Sequence, residues 1–208
     1  MDPICYEYLK EYFKEANVVN KRILEVGSFI VGGQESLNLR QLTEGSEFTG
    51  IDMREGPGVD VVANSHELPF VDEEFDLIIN YNTLEHDDKP FKSMKEMDRC
   101  LKKDGVLLTS TPCYFYIHGY PDDYFRYTPS GVRNLGKAFE HAEIVAFGHP
   151  YFPQQVFGMF SHDKITVKMD EFVEQYTKNL KPKLYMDLRN FLRYLKVDMT
   201  KKVFRVVV

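Results

Sequence analysis

Arg22-Ile23-Leu24-Glu25-Val26-Gly27-Ser28 decides the fold, taken with Gly32-Gly33 and with Thr49-Gly50-Ile51-Asp52 further along. Ile23, Leu24 and Val26 make a short apolar run closed by glycine, the pattern of a strand buried in a parallel sheet. Glycine at that point lets the backbone turn sharply and lets a ligand approach the main chain closely. The second apolar segment ends on an acid, Asp52. At the tip of the second strand of a doubly wound α/β fold, a carboxylate can accept hydrogen bonds from ribose hydroxyls. The dinucleotide fingerprint G-x-G-x-x-G is absent, because Phe29 and Ile30 stand where further glycines are needed. A pyrophosphate cradle is therefore disfavoured, and a ribose-bearing cofactor without pyrophosphate fits better.

Further pieces follow in a fixed order: Val62-Ala63-Asn64-Ser65-His66-Glu67-Leu68-Pro69-Phe70, then Phe75-Asp76-Leu77-Ile78-Ile79-Asn80, Leu84-Glu85-His86, and Glu96-Met97-Asp98-Arg99-Cys100-Leu101-Lys102-Lys103-Asp104-Gly105. From Ile23 to about Gly148 the sequence resembles the class I S-adenosylmethionine-dependent methyltransferases, and among them the small type 11 group. The resemblance implies an α/β fold: a Rossmann-like, doubly wound, mostly parallel sheet with an antiparallel last strand. It implies S-adenosylmethionine as cofactor, held by Glu25, Gly27, Ser28, Asp52, Met53, Asn64, Ser65, His66 and Asn80. This chain departs from the family in a degenerate glycine loop, and in Asn64, which replaces the acid usual before the Leu-Pro-Phe element. Asn64 can donate to and accept from an adenine edge, and it can equally cap a helix.

The 208 residues suffice for one domain with a sizeable core and an appendage. A 43% hydrophobic and 28% charged composition is an ordinary soluble balance. Net charge is −6 with no basic run, which argues against nonspecific nucleic-acid binding. Cys5, Cys100 and Cys113 are scattered and lack metal-ligand spacing, so neither a disulfide framework nor a metal is expected. No signal-peptide pattern and no membrane-length apolar stretch is present. The expectation is a cytoplasmic protein with a small-molecule substrate and no nucleic-acid or membrane partner.

Asp2-Pro3 opens a helix with Ile4, Tyr8, Leu9, Tyr12, Phe13 and Ala16 at helical spacing, ending near Asn17. It is placed either over the cofactor site or simply against the sheet. The pattern predicts a helix over Ser36–Leu42 and strands over Phe48–Asp52, Val59–Ala63, Phe75–Tyr81, Val106–Ser110 and Glu143–Phe147. A helix capped by Asp88 turns Phe91, Met94, Met97 and Leu101 inward, and another from Thr128-Pro129 places Val132, Leu135 and Phe139 on one face. Where the family returns at once with an antiparallel strand, residues 151–201 read as a helical insertion, a candidate lid or homodimer contact or plain packing. Val203–Val208 is then the delayed last strand of a single domain spanning 1–208.

Pro112 to Tyr127 is too aromatic and glycine-punctuated for a plain solvent loop, and it follows a strand at the ligand-binding edge. His118 can act as a base near neutral pH, with Asp122 or Asp123 orienting it or doing the work directly. Tyr116 and Tyr124 can wall an acceptor, and Arg126 can hold an anionic group in bidentate fashion. Asp–Arg pairing and aromatic packing would equally serve only to close the loop. The leading function is methyl transfer to oxygen or nitrogen of a small molecule, a sugar or an anionic metabolite. The alternatives are a non-catalytic binding protein of the same fold, and a protein or RNA methyltransferase. The acidic charge and lack of a recognition module oppose the last.

Overall fold

A computed structural model describes residues 3–43, 45–119, 122–149, 152–169 and 172. Seven strands form one sheet: β1 (Arg22–Val26), β2 (Glu47–Asp52), β3 (Val61–Val62), β4 (Phe75–Tyr81), β5 (Leu101–Pro112), β6 (His141–His149) and β7 (Phe152–Ser161). Their order is β3-β2-β1-β4-β5-β7-β6. The first five run parallel to one another, and β7 is antiparallel to both neighbours. The mostly parallel sheet is therefore as expected.

Alternation along the strands sorts side chains onto two faces. Leu24, Ile78, Leu107 and Phe160 share one core with helix α2 (Pro90–Cys100) and helix α3 (Pro129–Leu135). Ile23, Leu77, Ile79, Leu108 and Phe157 share the opposite core with helix α1 (Pro3–Glu15). Burial on both faces explains why β1 and β4 read as unbroken apolar runs. In α1, Ile4, Cys5, Tyr8, Leu9, Tyr12 and Phe13 are buried, and Tyr8 stacks on Phe157 with ring centroids 4.1 Å apart.

The structure corrects several expectations. The segment from Phe152 is not helical: β7 follows β6 at once, pairing Glu143 with Met159 and Thr109 with Gly158. Val156 and Phe160 point to one core and Phe157 and Met159 to the other, so this is a doubly buried strand. Gly158 admits it to the sheet, since a Cβ there would lie 2.7 Å from Thr109 Oγ1 and 2.8 Å from Val132 Cγ1. Residues 162–169 form no helix, and beyond them only Phe172 is described, so the rest of the expected helical insertion and the Val203–Val208 strand lie outside the described residues.

In α2 the N-cap is Lys89 rather than Asp88, and the buried face is Pro90, Ser93, Met94, Met97 and Cys100. Phe91 is exposed and lies under the Lys137 ammonium, while Leu101 already belongs to β5. The expected helix over Ser36–Leu42 is two 3₁₀ turns, Glu35–Leu37 and Leu39–Leu42. Asn38 separates them, its side chain accepting from Arg40 N and restarting the chain direction.

Candidate active site

The C-terminal ends of β1, β2 and β4 open into a cavity of about 1100 Å³, room for a nucleoside cofactor with a second small molecule beside it. Its first wall is the turn after β1. Gly27 N and Ser28 N both donate to Ile51 O, at 2.8 and 2.9 Å, which bends the chain across the tip of β2. Gly27 takes φ +87°, and a Cβ there would sit 2.1 Å from Thr83 Oγ1. Only glycine fits both the backbone and the space. Buried Ser28 Oγ has no hydrogen-bond partner among the described residues, and Ser28 is one of the residues lining the cavity.

Asp52 ends β2, and its Oδ1 accepts from both Arg54 N and Arg54 Nε at 3.0 and 3.1 Å. The Arg54 guanidinium lies over the Phe29 ring, 4.2 Å from its centroid. Glu25 also lines the cavity, and burial pushes its carboxyl up to about 8. Asn64 caps no helix. Its Oδ1 accepts from His66 N at 2.8 Å in a local turn. His66 Nε2 lies 2.6 Å from Asp87 Oδ1, while Ser93 Oγ donates to Asp87 Oδ2 and lies 2.7 Å from Ser65 Oγ. This network ties the segment after β3 to the start of α2.

Glu25, Gly27, Ser28, Asp52, Met53, Asn64, Ser65 and His66 are thus brought together around one cavity. Asn80 is not among the lining residues. It is buried, and its Nδ2 donates to Val26 O at 3.2 Å, fastening β4 to the end of β1 beneath the Gly27 turn.

On the other side the cavity is walled by Phe115, Tyr116, His118 and Tyr124 from the loop after β5, and by Glu85 and His86. Asp122, Asp123 and Arg126 are not among the lining residues. Arg126 spans the loop, donating to Asp123 and to the carbonyls of Phe115, Tyr116 and Phe125. Its guanidinium holds the Asp123 carboxyl down to about 2. Asp123 Oδ2 also accepts from His118 N at 2.7 Å and lies 3.3 Å from His118 Nδ1. The loop is anchored at its far end by Tyr124 N and Phe125 N, both donating to Glu85 O.

Glu85 and His86, on the 3₁₀ turn Leu84–His86 after β4, carried no site expectation from sequence. Glu85 is fully buried, neither carboxylate oxygen has a hydrogen-bond partner among the described residues, and burial pushes its carboxyl up to about 8. His86 Nδ1 lies 2.5 Å from Asp122 O, and burial lowers its basicity. The signal was available as an acid and a histidine placed directly after a doubly buried strand. Within the motif they served only as family markers.

Residues 24–109 match the family model described as a methyltransferase domain. No curated protein matches the chain significantly. Among solved structures, the PH0226 protein from Pyrococcus horikoshii OT3 superposes with TM-score 0.57 at 16% identity, covering 76% of this chain and 89% of that one. A SAM-dependent methyltransferase from Aquifex aeolicus gives TM-score 0.52 at 16% identity, over 77% of this chain and 99% of that one. The Burkholderia thailandensis 1,6-didemethyltoxoflavin-N1-methyltransferase, solved with 1,6-didemethyltoxoflavin and S-adenosylhomocysteine, gives TM-score 0.57 at 17% identity, over 78% of this chain and 80% of that one. These likenesses are of fold.

Proposed function

We propose that the chain is a class I S-adenosylmethionine-dependent methyltransferase that methylates a small molecule held against the aromatic loop after β5, a reading supported by the match of residues 24–109 to the methyltransferase domain. The observation that carries this reading is the continuity of the cavity, which runs from the Gly27 turn and Asp52 directly to Glu85, Tyr116, His118 and Tyr124. The neighbour from Burkholderia thailandensis, with a small acceptor named beside S-adenosylhomocysteine, supports a small molecule here as well.

The residues at the strand ends suit the cofactor. Gly27 keeps the main chain bare where a Cβ would collide with Thr83, and the buried Ser28 Oγ has no hydrogen-bond partner among the described residues. We assign the ribose hydroxyls to Asp52 and the adenine edge to Asn64, Ser65 and His66. Because Asn64 Oδ1 is already committed to His66 N, Asn64 offers its amide N–H groups as donors. Glu25 and Met53 complete this wall. When bound, the cofactor supplies an electrophilic methyl group on sulfur.

Transfer requires in-line approach of the acceptor atom, so positioning by the cavity walls provides most of the catalysis. Tyr116 and Tyr124 wall off water from the acceptor. Activation of an acceptor hydroxyl is assigned to His118, with Asp123 as the positioning residue through its contacts to His118 N and Nδ1. Arg126 acts by holding Asp123 and the loop carbonyls rather than by meeting the acceptor.

The test is methyl transfer from radiolabelled S-adenosylmethionine to fractionated metabolites, proteins and RNA. Label in a small-molecule fraction is expected, and label confined to protein or RNA would overturn the acceptor assignment. His118→Ala is expected to lower turnover by ~10²–10⁴-fold with S-adenosylhomocysteine affinity nearly unchanged.

A further inference from the structure

We propose that Glu85, His86 and His118 bind one divalent first-row transition cation, of the zinc, cobalt, manganese or iron(II) kind, on the acceptor side of the cavity. The three residues come from two elements, the 3₁₀ turn after β4 and the loop after β5, yet one ligand atom from each lies within 4.8 Å of the others. All three line the cavity.

Glu85 is the centre of the site. A carboxyl with no exposed surface and no hydrogen-bond partner on either oxygen among the described residues is costly to bury, and a fold keeps such a group where something completes it. Its carbonyl is not the reason for its place, because that oxygen accepts from Tyr124 N and Phe125 N independently of the side chain.

The two imidazoles are oriented from behind. His86 Nδ1 is 2.5 Å from Asp122 O, an acceptor only, so the ring proton sits on Nδ1. The lone pair of Nε2 is then on the side of Glu85 Oε1, 3.9 Å away. This arrangement, one nitrogen donating to a carbonyl and the other left to a cation, is how metal-binding histidines are fixed. In His118, Nδ1 lies 3.3 Å from both Tyr116 O and Asp123 Oδ2, with the Arg126 donor at 3.4 Å. Two acceptors against one longer donor place the proton on Nδ1 here as well, leaving the Nε2 lone pair. The two rings meet edge to face, centroids 4.8 Å apart.

Donors bound to one ion at ~2.1 Å stand about 3–3.5 Å from each other, so closure needs shifts of about 1 Å. Two imidazoles and one carboxylate, with positions left open, suit zinc and its first-row neighbours rather than calcium or magnesium, which favour all-oxygen shells.

The role of the ion rests on the methyl-transfer reading; the site does not. An acceptor hydroxyl in an open coordination position is acidified. Its O–H proton leaves to water at the cavity mouth, the oxygen–methyl bond forms, and the sulfur–methyl bond breaks. The activation assigned to His118 then operates through the ion that it shares with Glu85 and His86.

The experiment uses the full chain stripped with a chelator and titrated with CoCl₂, followed by visible d–d absorption, and with ZnCl₂ by calorimetry. One equivalent of saturable binding is expected, weakened at least ~10-fold in Glu85→Gln and in His118→Ala. His118→Ala, on the loop, keeps the test decisive if the buried Glu85→Gln variant fails to fold, and circular dichroism checks both. No saturable cobalt or zinc binding to the wild-type chain would overturn the site. So would binding that neither variant weakens. Metal binding that follows the variants in a chain that methylates nothing would keep the site and sink the acceptor reading. Methyl transfer by a chain that binds no cobalt or zinc would do the reverse.

Discussion

Replacing Gly27 by alanine tests the turn on which the cavity is built. Gly27 sits at φ +87°, where an L side chain costs about 1–2 kcal/mol. The new Cβ would also lie 2.1 Å from Thr83 Oγ1, 2.8 Å from Thr83 Cγ2 and 3.0 Å from Thr83 Cβ. Rotating Thr83 about χ1 cannot clear all three, so the residue must move. Its hydroxyl now donates to Val26 O and Tyr81 O at 3.4 and 3.2 Å, and losing that contact costs about 1 kcal/mol more. The sum, about 2–3 kcal/mol, corresponds to a fall in Tm of about 4–12 °C for a chain of this size. The displaced Thr83 moves in a cavity that it already lines, so S-adenosylhomocysteine affinity falls by about tenfold or more. Differential scanning fluorimetry and calorimetry read the two effects. Adding Thr83→Gly removes the collision and leaves the backbone strain, so the double variant should recover only part of the loss. A Gly27→Ala chain that melts and binds cofactor product like the wild type would refute the reasoning.

Further outcomes follow from individual contacts. Glu25, pushed up to about 8, contributes stability that is present below pH ~4 and lost as pH rises through 8. Glu25→Gln should therefore gain Tm relative to wild type as pH goes from 5 to 9, by at most about 5 kcal/mol of stability, and identical pH profiles would contradict it. Arg126→Ala strands the buried Asp123 carboxylate and releases three loop carbonyls, so it should cost about 1–3 kcal/mol and raise the acceptor KM. An unchanged melting curve would remove its role as the brace of the loop.

The strands were legible because burial on both faces leaves an uninterrupted apolar signature, and β4 was read with its observed ends. Strand β7 was missed because Pro153 and Gly158 interrupt its run, whereas in the sheet Pro153 lies beside the β6–β7 turn and Gly158 makes room for Val132. The wall at Gly27 and Asp52 could be read from local spacing alone. The partners of the loop could not. Arg126, Asp122 and Asp123 look like chemistry in one dimension, but their bonding turns on carbonyls at Phe115 and Tyr116 and on the ring of His86. Glu85 shows the converse. Its isolation is a property of packing, invisible until the loop after β5 closes over it.

The most direct test of the central claim is calorimetric titration of S-adenosylhomocysteine into the wild-type chain and into Asp52→Ala. One saturable site is expected in the wild type, weakened in the variant by about 1.5–3 kcal/mol, or about 10–150-fold. A wild-type chain that takes up no S-adenosylhomocysteine would contradict the account.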